Sequence, residues 1–270
     1  MPVDVEAEVV ANTQLSDDYN VLALAAPAIA REAQPGQFVM VRARRCHDPL
    51  LRRPFSVFEV LRDASGEPGG ITLLSKRVGV ATSLLFDTKP GEKVQCLGPL
   101  GRPFTPVDPP TEAWMVAGGV GLAPFATLAG ALAGRGTETT LFYGARRASE
   151  LFCTDLFAQL GVRLVLSTED GSRGERGLIT RPLARELEAR PRSARLMIYA
   201  CGPEAMLRAV TQLAIASGRP SQLAMERIMG CGLGGCYSCV VRVRDPQGRV
   251  HYARSCTEGP VFRGEDIVWE

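Results

Sequence analysis

Short apolar-rich runs separated by turn residues fill the first part of the chain. VDVEAEVV (3–10), YNVLALAA (19–26), GQFVMVRA (36–43), FSVFEVL (55–61), GITLLS (70–75) and KVQCL (93–97) follow one another, punctuated at PGQ, GEPGG and KPGE. Glycine and proline supply the turns that such strands need, so the pattern predicts an antiparallel β-barrel over residues 1 to about 104. One helix, ATSLLFD (81–87), interrupts the series.

The period changes after that. AWMVAGG, TTLFYGA, VRLVLST and RLMIYACG are apolar runs suited to strands buried on both faces, and each is followed by a helical stretch. This alternation predicts a parallel-sheet, nucleotide-binding α/β domain over residues 105 to about 221. The remainder, 222–270, holds a cluster of cysteines and a hairpin, VVRVR–DPQG–RVHYARS, and reads as a third, small domain.

Composition narrows the partners. The 270 residues are 46% hydrophobic and carry a net charge of +2, which gives no electrostatic reason to bind nucleic acid or an anionic membrane. The apolar stretch VLALAAPAIA (21–30) is broken by Pro27 and too short to span a bilayer. MPVDVEAEVV lacks the basic-then-apolar layout of a signal peptide, so a cytoplasmic protein is expected. Cys46, Cys96, Cys153 and Cys201 lie among apolar neighbours and read as reduced core thiols. His47 and His251 read as surface residues, and no acid–base dyad stands out, so no catalytic residue is expected.

The other four cysteines carry the sharpest chemical signal. Cys231, Cys236, Cys239 and Cys256 are spaced C-x4-C-x2-C-x16-C, the order in which thiolates wrap a [2Fe–2S] cluster. Gly232, Gly234 and Gly235 allow the backbone to curl around sulfides. A structural zinc site is the competing reading, although it would more naturally show two C-x2-C pairs or added histidines.

Four further segments are candidates for cofactor binding. Arg53-Pro54-Phe55-Ser56 offers a forked cation, a ring and a hydroxyl. LLSKRVGVATSLL (73–85) places Thr82 at a helix start, where it would cap the helix beside free N–H groups. The turn from Ala117 through Gly118, Gly119 and Gly121 to Pro124 joins an apolar strand to a helix and departs from both G-x-G-x-x-G and the Walker A loop. Cys201-Gly202-Pro203-Glu204-Ala205-Met206 ends another strand, where open α/β sheets place ligands, with Pro203 in the first helical turn. Each segment alone has a plainer reading as a surface arginine, a simple cap or close helix packing.

Together and in this order the segments resemble the ferredoxin–NADP reductase superfamily. The ending MERIMGCGLGGCYSCVV…SCTEGPVF is similar to that of electron-transfer subunits of class 1B dihydroorotate dehydrogenase, and the resemblance spans essentially the whole chain. It implies an FAD site made by Arg53, Pro54, Phe55, Ser56, Leu74, Ser75, Lys76, Ala81 and Thr82. It also implies an NAD site at Gly118, Gly119, Gly121, Pro124, Cys201, Gly202, Pro203, Glu204 and Met206, and cluster ligation by Cys231, Cys236, Cys239 and Cys256. Ser75 and Ala81 depart from the family, which commonly has an aromatic and a glycine there.

The resemblance implies a role in pyrimidine biosynthesis. A separate FMN-containing catalytic subunit would oxidise dihydroorotate, and electrons would pass through the cluster and FAD to NAD⁺ in a heterotetramer of two copies each. FAD is the necessary intermediary, because a nicotinamide exchanges electron pairs and the cluster single electrons. Related flavin subunits of ferredoxin- or hydrogenase-type complexes share these motifs. Oxygenase reductases fit less well, because their last cysteine lies much farther from the third. A non-redox nucleotide-binding protein with a zinc site is the reading from another class. Arg146 and Arg147 could read a 2′-phosphate, but the resemblance points to NAD.

Overall fold

The computed structural model describes residues 1–43 and 48–269; Cys46 and His47 lie outside them. The barrel strands are β1 (Val3–Gln14), β2 (Tyr19–Ala25), β3 (Phe38–Arg42), β4 (Arg53–Ser56), β5 (Glu59–Arg62), β6 (Pro68–Lys76) and β7 (Lys93–Leu100). All neighbours are antiparallel, in the order β4-β3-β7-β1-β2-β6-β5.

Sequence reading treats FSVFEVL as one strand, whereas the structure splits it into β4 and β5. The break closes the barrel. The Val57 N–H donates to Gln37 O at 3.0 Å, beside β3, and the Phe58 N–H donates to Thr72 O of β6 at 2.9 Å. The two sheet edges thus meet at one turn, and edges left open would invite unwanted pairing. Pro27 ends the apolar run of β2 and starts a short helix, α1 (Pro27–Ala30), which packs Ile29 into the barrel core. A second helix, α2 (Val80–Asp87), follows β6.

The second sheet contains β8 (Glu112–Gly118), β9 (Thr139–Ala145), β10 (Arg163–Thr168), β11 (Glu175–Arg176), β12 (Leu196–Cys201) and β13 (Ser221–Ala224), paired in parallel in the order β11-β10-β9-β8-β12-β13. The central strands are buried almost end to end, because helices cover both faces. These are α3 (Phe125–Ala133), α4 (Thr154–Gln159), α5 (Thr180–Ala189) and α6 (Glu204–Ser217). β13 is missing from the sequence reading, since SQLA is too short and too polar to stand out.

The C-terminal residues form the hairpin β14 (Val240–Arg244) and β15 (Val250–Arg254), as DPQG predicts. They then return β16 (Val261–Arg263) antiparallel to β13, at the edge of the second sheet. The two Gly-Pro motifs meet as well. A Cβ on Gly101 would fall 2.5 Å from Pro260 Cδ, so the GPLG segment of the barrel packs directly on the GPVF tail. The cysteine loop is therefore held between barrel and sheet.

Candidate functional site

A cavity of about 770 Å³ lies between the barrel and the carboxyl ends of β12 and β13. Its barrel wall is Arg53, Pro54, Phe55 and Ser56 of β4, Leu74, Ser75 and Lys76 at the end of β6, and Ala81 and Thr82 in the first turn of α2. Three short stretches from two strands and a helix thus converge. Thr82 does not cap its helix from outside as expected. It sits one turn in, at N3, and its Oγ1 accepts the N–H groups of Val78 at 2.8 Å and Gly79 at 3.0 Å, which holds the turn that forms the cavity rim.

Ser75 tests whether this cavity suits a polar ring. Its side chain is buried, it lines the cavity, and its Oγ is without a protein partner. A buried hydroxyl left unpaired costs about 1–3 kcal/mol, so the site favours a ligand that hydrogen-bonds there. A flavin ring edge does so, and the residues fit FAD.

A second cavity, of about 550 Å³, opens over the carboxyl ends of β8, β9 and β12, where open α/β sheets bind nucleotides. Gly118, Gly119, Pro203 and Met206 line it. Gly119 has φ +56, and a Cβ there would meet nothing within 4 Å, so its backbone faces open space. The other expected NAD residues do not line this cavity. Gly121 lies against the carbonyl of Cys201, an approach any side chain would block, and Gly202 packs on Met206 and Gly118. Pro124 is buried at the start of α3, and Glu204 forms a 2.6 Å ion pair with Arg227. Cys201 lines the larger cavity instead, and burial holds its thiol well above its usual pKa. Pro203 precedes α6 rather than occupying its first turn.

Lys76, Val120 and Glu226 line both cavities, so ligands in the two would meet there. Glu226 opens onto the cleft yet is surrounded by protein, and that burial raises its carboxyl pKa. Tyr19 closes one side, packed on Phe152 with ring centroids 4.7 Å apart.

The four cysteines are drawn into two pairs. Cys231 lies near enough to Cys236, and Cys239 to Cys256, for one thiol of each pair to shift the titration of the other. Cys239 and Cys256 are each 2% exposed, whereas Cys236 is at the surface. Hydrogen bonds from Ser238, whose Oγ lies 3.1 Å from the sulfur, and from Cys231 lower the Cys236 thiol to about 6, while burial raises Cys256 to about 11. The Leu233 N–H donates to Cys231 Sγ at 3.3 Å, the kind of contact that stabilises a thiolate. Among the described residues no three His, Cys, Asp or Glu side chains converge closely enough to chelate one ion. Two pairs of thiols a short loop apart fit a two-iron cluster, with two sulfurs for each iron.

Cys96 is buried and raised to about 12, and half-buried Cys153 is raised to about 11, both chiefly by burial. Both match core thiols. His251 is exposed, as expected.

Sequence reading missed Tyr19, Phe38, Glu169, Glu226 and Met229 as lining residues. Glu226 and Met229 stand inside MERIMG, directly before the first cysteine, and could have been suspected there. Tyr19, Phe38 and Glu169 lie in ordinary strand or loop sequence and carry no local signal.

Comparison with known proteins agrees with this layout. Residues 6–104 match an oxidoreductase FAD-binding domain, 115–212 an oxidoreductase NAD-binding domain, and 226–268 the iron–sulfur cluster binding domain of dihydroorotate dehydrogenase B. The electron transfer subunit of dihydroorotate dehydrogenase B (NAD⁺) from Desulforamulus reducens is 37% identical over 265 residues, covering 98% of both chains. The subunit of that name from Geobacillus kaustophilus is also 37% identical, over 92% of this chain and 91% of its own. Among solved structures, a chain of the NADH-dependent reduced ferredoxin–NADP oxidoreductase, described in connection with flavin-based electron bifurcation, superposes with a TM-score of 0.83 at 30% identity, covering 98% of this chain and 90% of that one. A ferredoxin reductase of carbazole 1,9a-dioxygenase shares the fold, with a TM-score of 0.67 at 22% identity over 81% of this chain and 67% of that one. Among the described residues no helix is long and apolar enough to cross a membrane. With relatives this similar along its whole length, and with flavin, nicotinamide and cluster domains in one order, the chain belongs to the family of electron-transfer subunits of dihydroorotate dehydrogenase B.

Proposed function

We propose that this protein passes electrons between NAD and an FMN-containing catalytic subunit that oxidises dihydroorotate in pyrimidine biosynthesis, as a cytoplasmic heterotetramer of two copies each. The observation that carries the reading is the spatial order of the sites. The dinucleotide cavity shares Lys76, Val120 and Glu226 with the larger cavity, whose lining also includes Met229, a member of the buried cluster that holds Cys239 and Cys256. Bound FAD accepts electrons in pairs or singly. The chain's residues hold the ligands in line and keep the inner thiols dry, while the exposed Cys236 end faces outward, where a partner could receive or deliver electrons. Under this reading Cys231, Cys236, Cys239 and Cys256 ligate the cluster, and the barrel residues named above hold FAD. Glu169 on the wall of the smaller cavity supports NAD over NADP, since a carboxylate hydrogen-bonds a ribose hydroxyl and repels a 2′-phosphate.

Reconstitution with an FMN catalytic subunit tests the assignment. The expected result is dihydroorotate-dependent reduction of NAD⁺ and a complex with the mass of two copies of each subunit; no such activity with both cofactors loaded sinks it. The likeness to the ferredoxin–NADP oxidoreductase chain supports a second reading, in which the partner is a ferredoxin-linked subunit. NADH-dependent ferredoxin reduction in the reconstituted complex would select that one. Zinc in place of iron in the purified protein would defeat both.

A further inference from the structure

Phe38, Met40, Leu100, Met229, Cys239 and Cys256 form one buried cluster. Two of its members, Phe38 and Met229, also line the 770 Å³ cavity. The side chains that bound the flavin cavity are therefore packed in the same apolar mass as the inner pair of thiols. The partition comes from two parts of the chain. Phe38 and Met40 stand on β3, while Met229 belongs to the loop that enters the cysteine segment. They are pressed together at Gly232, which has φ +73 and where a Cβ would fall 2.6 Å from Met40 Cγ. No side chain can be inserted at that seam without parting the loop from the barrel. Nearby polar atoms are turned to holding the loop, as the Gly230 N–H donates to Ser238 Oγ at 3.0 Å and the Met225 N–H to Pro260 O at 2.9 Å.

We propose that Met229, backed by Phe38, is the positioning residue for electron transfer between FAD and the cluster, acting as a thin, dry partition. The inference rests on the cofactor sites above, though not on the identity of the partner. An electron crosses most easily through continuous packed atoms, and an apolar shell around a cluster keeps water away and lowers its reduction potential. The methionine thioether is polarizable and fills irregular gaps, which suits it to such a contact. The electron count allows one crossing per cluster, and the second needs an acceptor beyond this chain. NADH would deliver two electrons and a proton to FAD as a hydride, and one electron would cross the partition to the cluster. The second electron and the proton would stay with the flavin until a one-electron acceptor, the FMN of the catalytic subunit in the proposed complex, empties the cluster, the proton then leaving to solvent.

The test uses the full-length, FAD- and iron-loaded subunit, with NADH as reductant and no partner. Flavin reduction and cluster reduction are followed separately by rapid-mixing absorbance, and the cluster potential by redox titration with an EPR readout. Met229→Ala opens the partition, and Met229→Gln keeps the length but brings in a polar group, so it serves if the alanine protein loses a cofactor. In both, cluster reduction should slow at least about threefold more than flavin reduction, within the range expected for residues packed around a metal site. Met229→Leu should restore most of the rate, and Met229→Gln should raise the cluster potential. A relative slowing of less than about threefold in the cofactor-loaded variants overturns the proposal, as does an unmoved potential in Met229→Gln. If the wild-type protein binds no FAD or iron, the site assignment itself fails and takes this inference with it.

Discussion

Replacing Ser75 by alanine should move the apoprotein and the flavin-loaded protein in opposite directions. The Ser75 side chain is 3% exposed, and its hydroxyl has no protein partner while it faces the larger cavity. Without a ligand, an unpaired buried hydroxyl costs about 1–3 kcal/mol, so its removal should stabilise the deflavinated protein by about 1 kcal/mol. For a chain of this size that corresponds to roughly 2–4 °C in Tm. With FAD bound the same hydroxyl gains a partner, and losing a hydrogen bond of about 0.5–1.5 kcal/mol should weaken binding about 2- to 10-fold. Thermal unfolding of the apoprotein and a fluorescence titration with FAD measure the two effects. An apoprotein destabilised by Ser75→Ala, or an unchanged FAD affinity, would refute the idea that this hydroxyl waits for the flavin.

Three other outcomes follow from the geometry. Burial raises the Glu226 pKa; its stabilising contribution is present below the unfolded carboxyl range and is lost as pH rises through the folded value. Glu226→Gln should therefore raise the Tm of the apoprotein at pH 7 but not at pH 4, and an equal effect at both would contradict the assignment. Glu169→Ala should narrow the NADH-over-NADPH preference in kcat/KM, because it removes a carboxylate from the dinucleotide cavity; an unaltered ratio argues against Glu169 as the selector. Serine in place of Cys239 or Cys256 should abolish the EPR signal of the reduced cluster and lower iron content, whereas Cys153→Ser should keep both, since burial keeps that thiol protonated.

Much of the site could be read locally because its motifs are short and chemically constrained. RPFS, the Gly118–Gly119 turn and the Cys201–Met206 segment each need only a strand end and a few fixed residue types, and all nine expected flavin residues reach one cavity. What could not be read depends on pairing over long distances. The split of FSVFEVL into two strands follows from barrel closure, where Val57 and Phe58 answer to carbonyls of Gln37 and Thr72. β13 is four residues long and acquires its identity from pairing with β12 and β16. That Gly121 lies against the Cys201 carbonyl and Gly202 against Met206 and Gly118 is also a matter of tertiary packing, which the glycine-rich motif alone does not reveal.

The sequence alone determined the kind of chemistry, because thiol spacing and glycine-rich strand ends are local demands that cofactors place on a few neighbouring residues. Only the tertiary structure decided how the sites connect. Lys76, Val120 and Glu226 become shared walls, and Met229 joins one buried cluster with Phe38 and the inner thiols, because barrel, sheet and cysteine loop are packed against one another. Electron transfer depends on that contact between distant segments, and no periodicity or spacing within one segment encodes it.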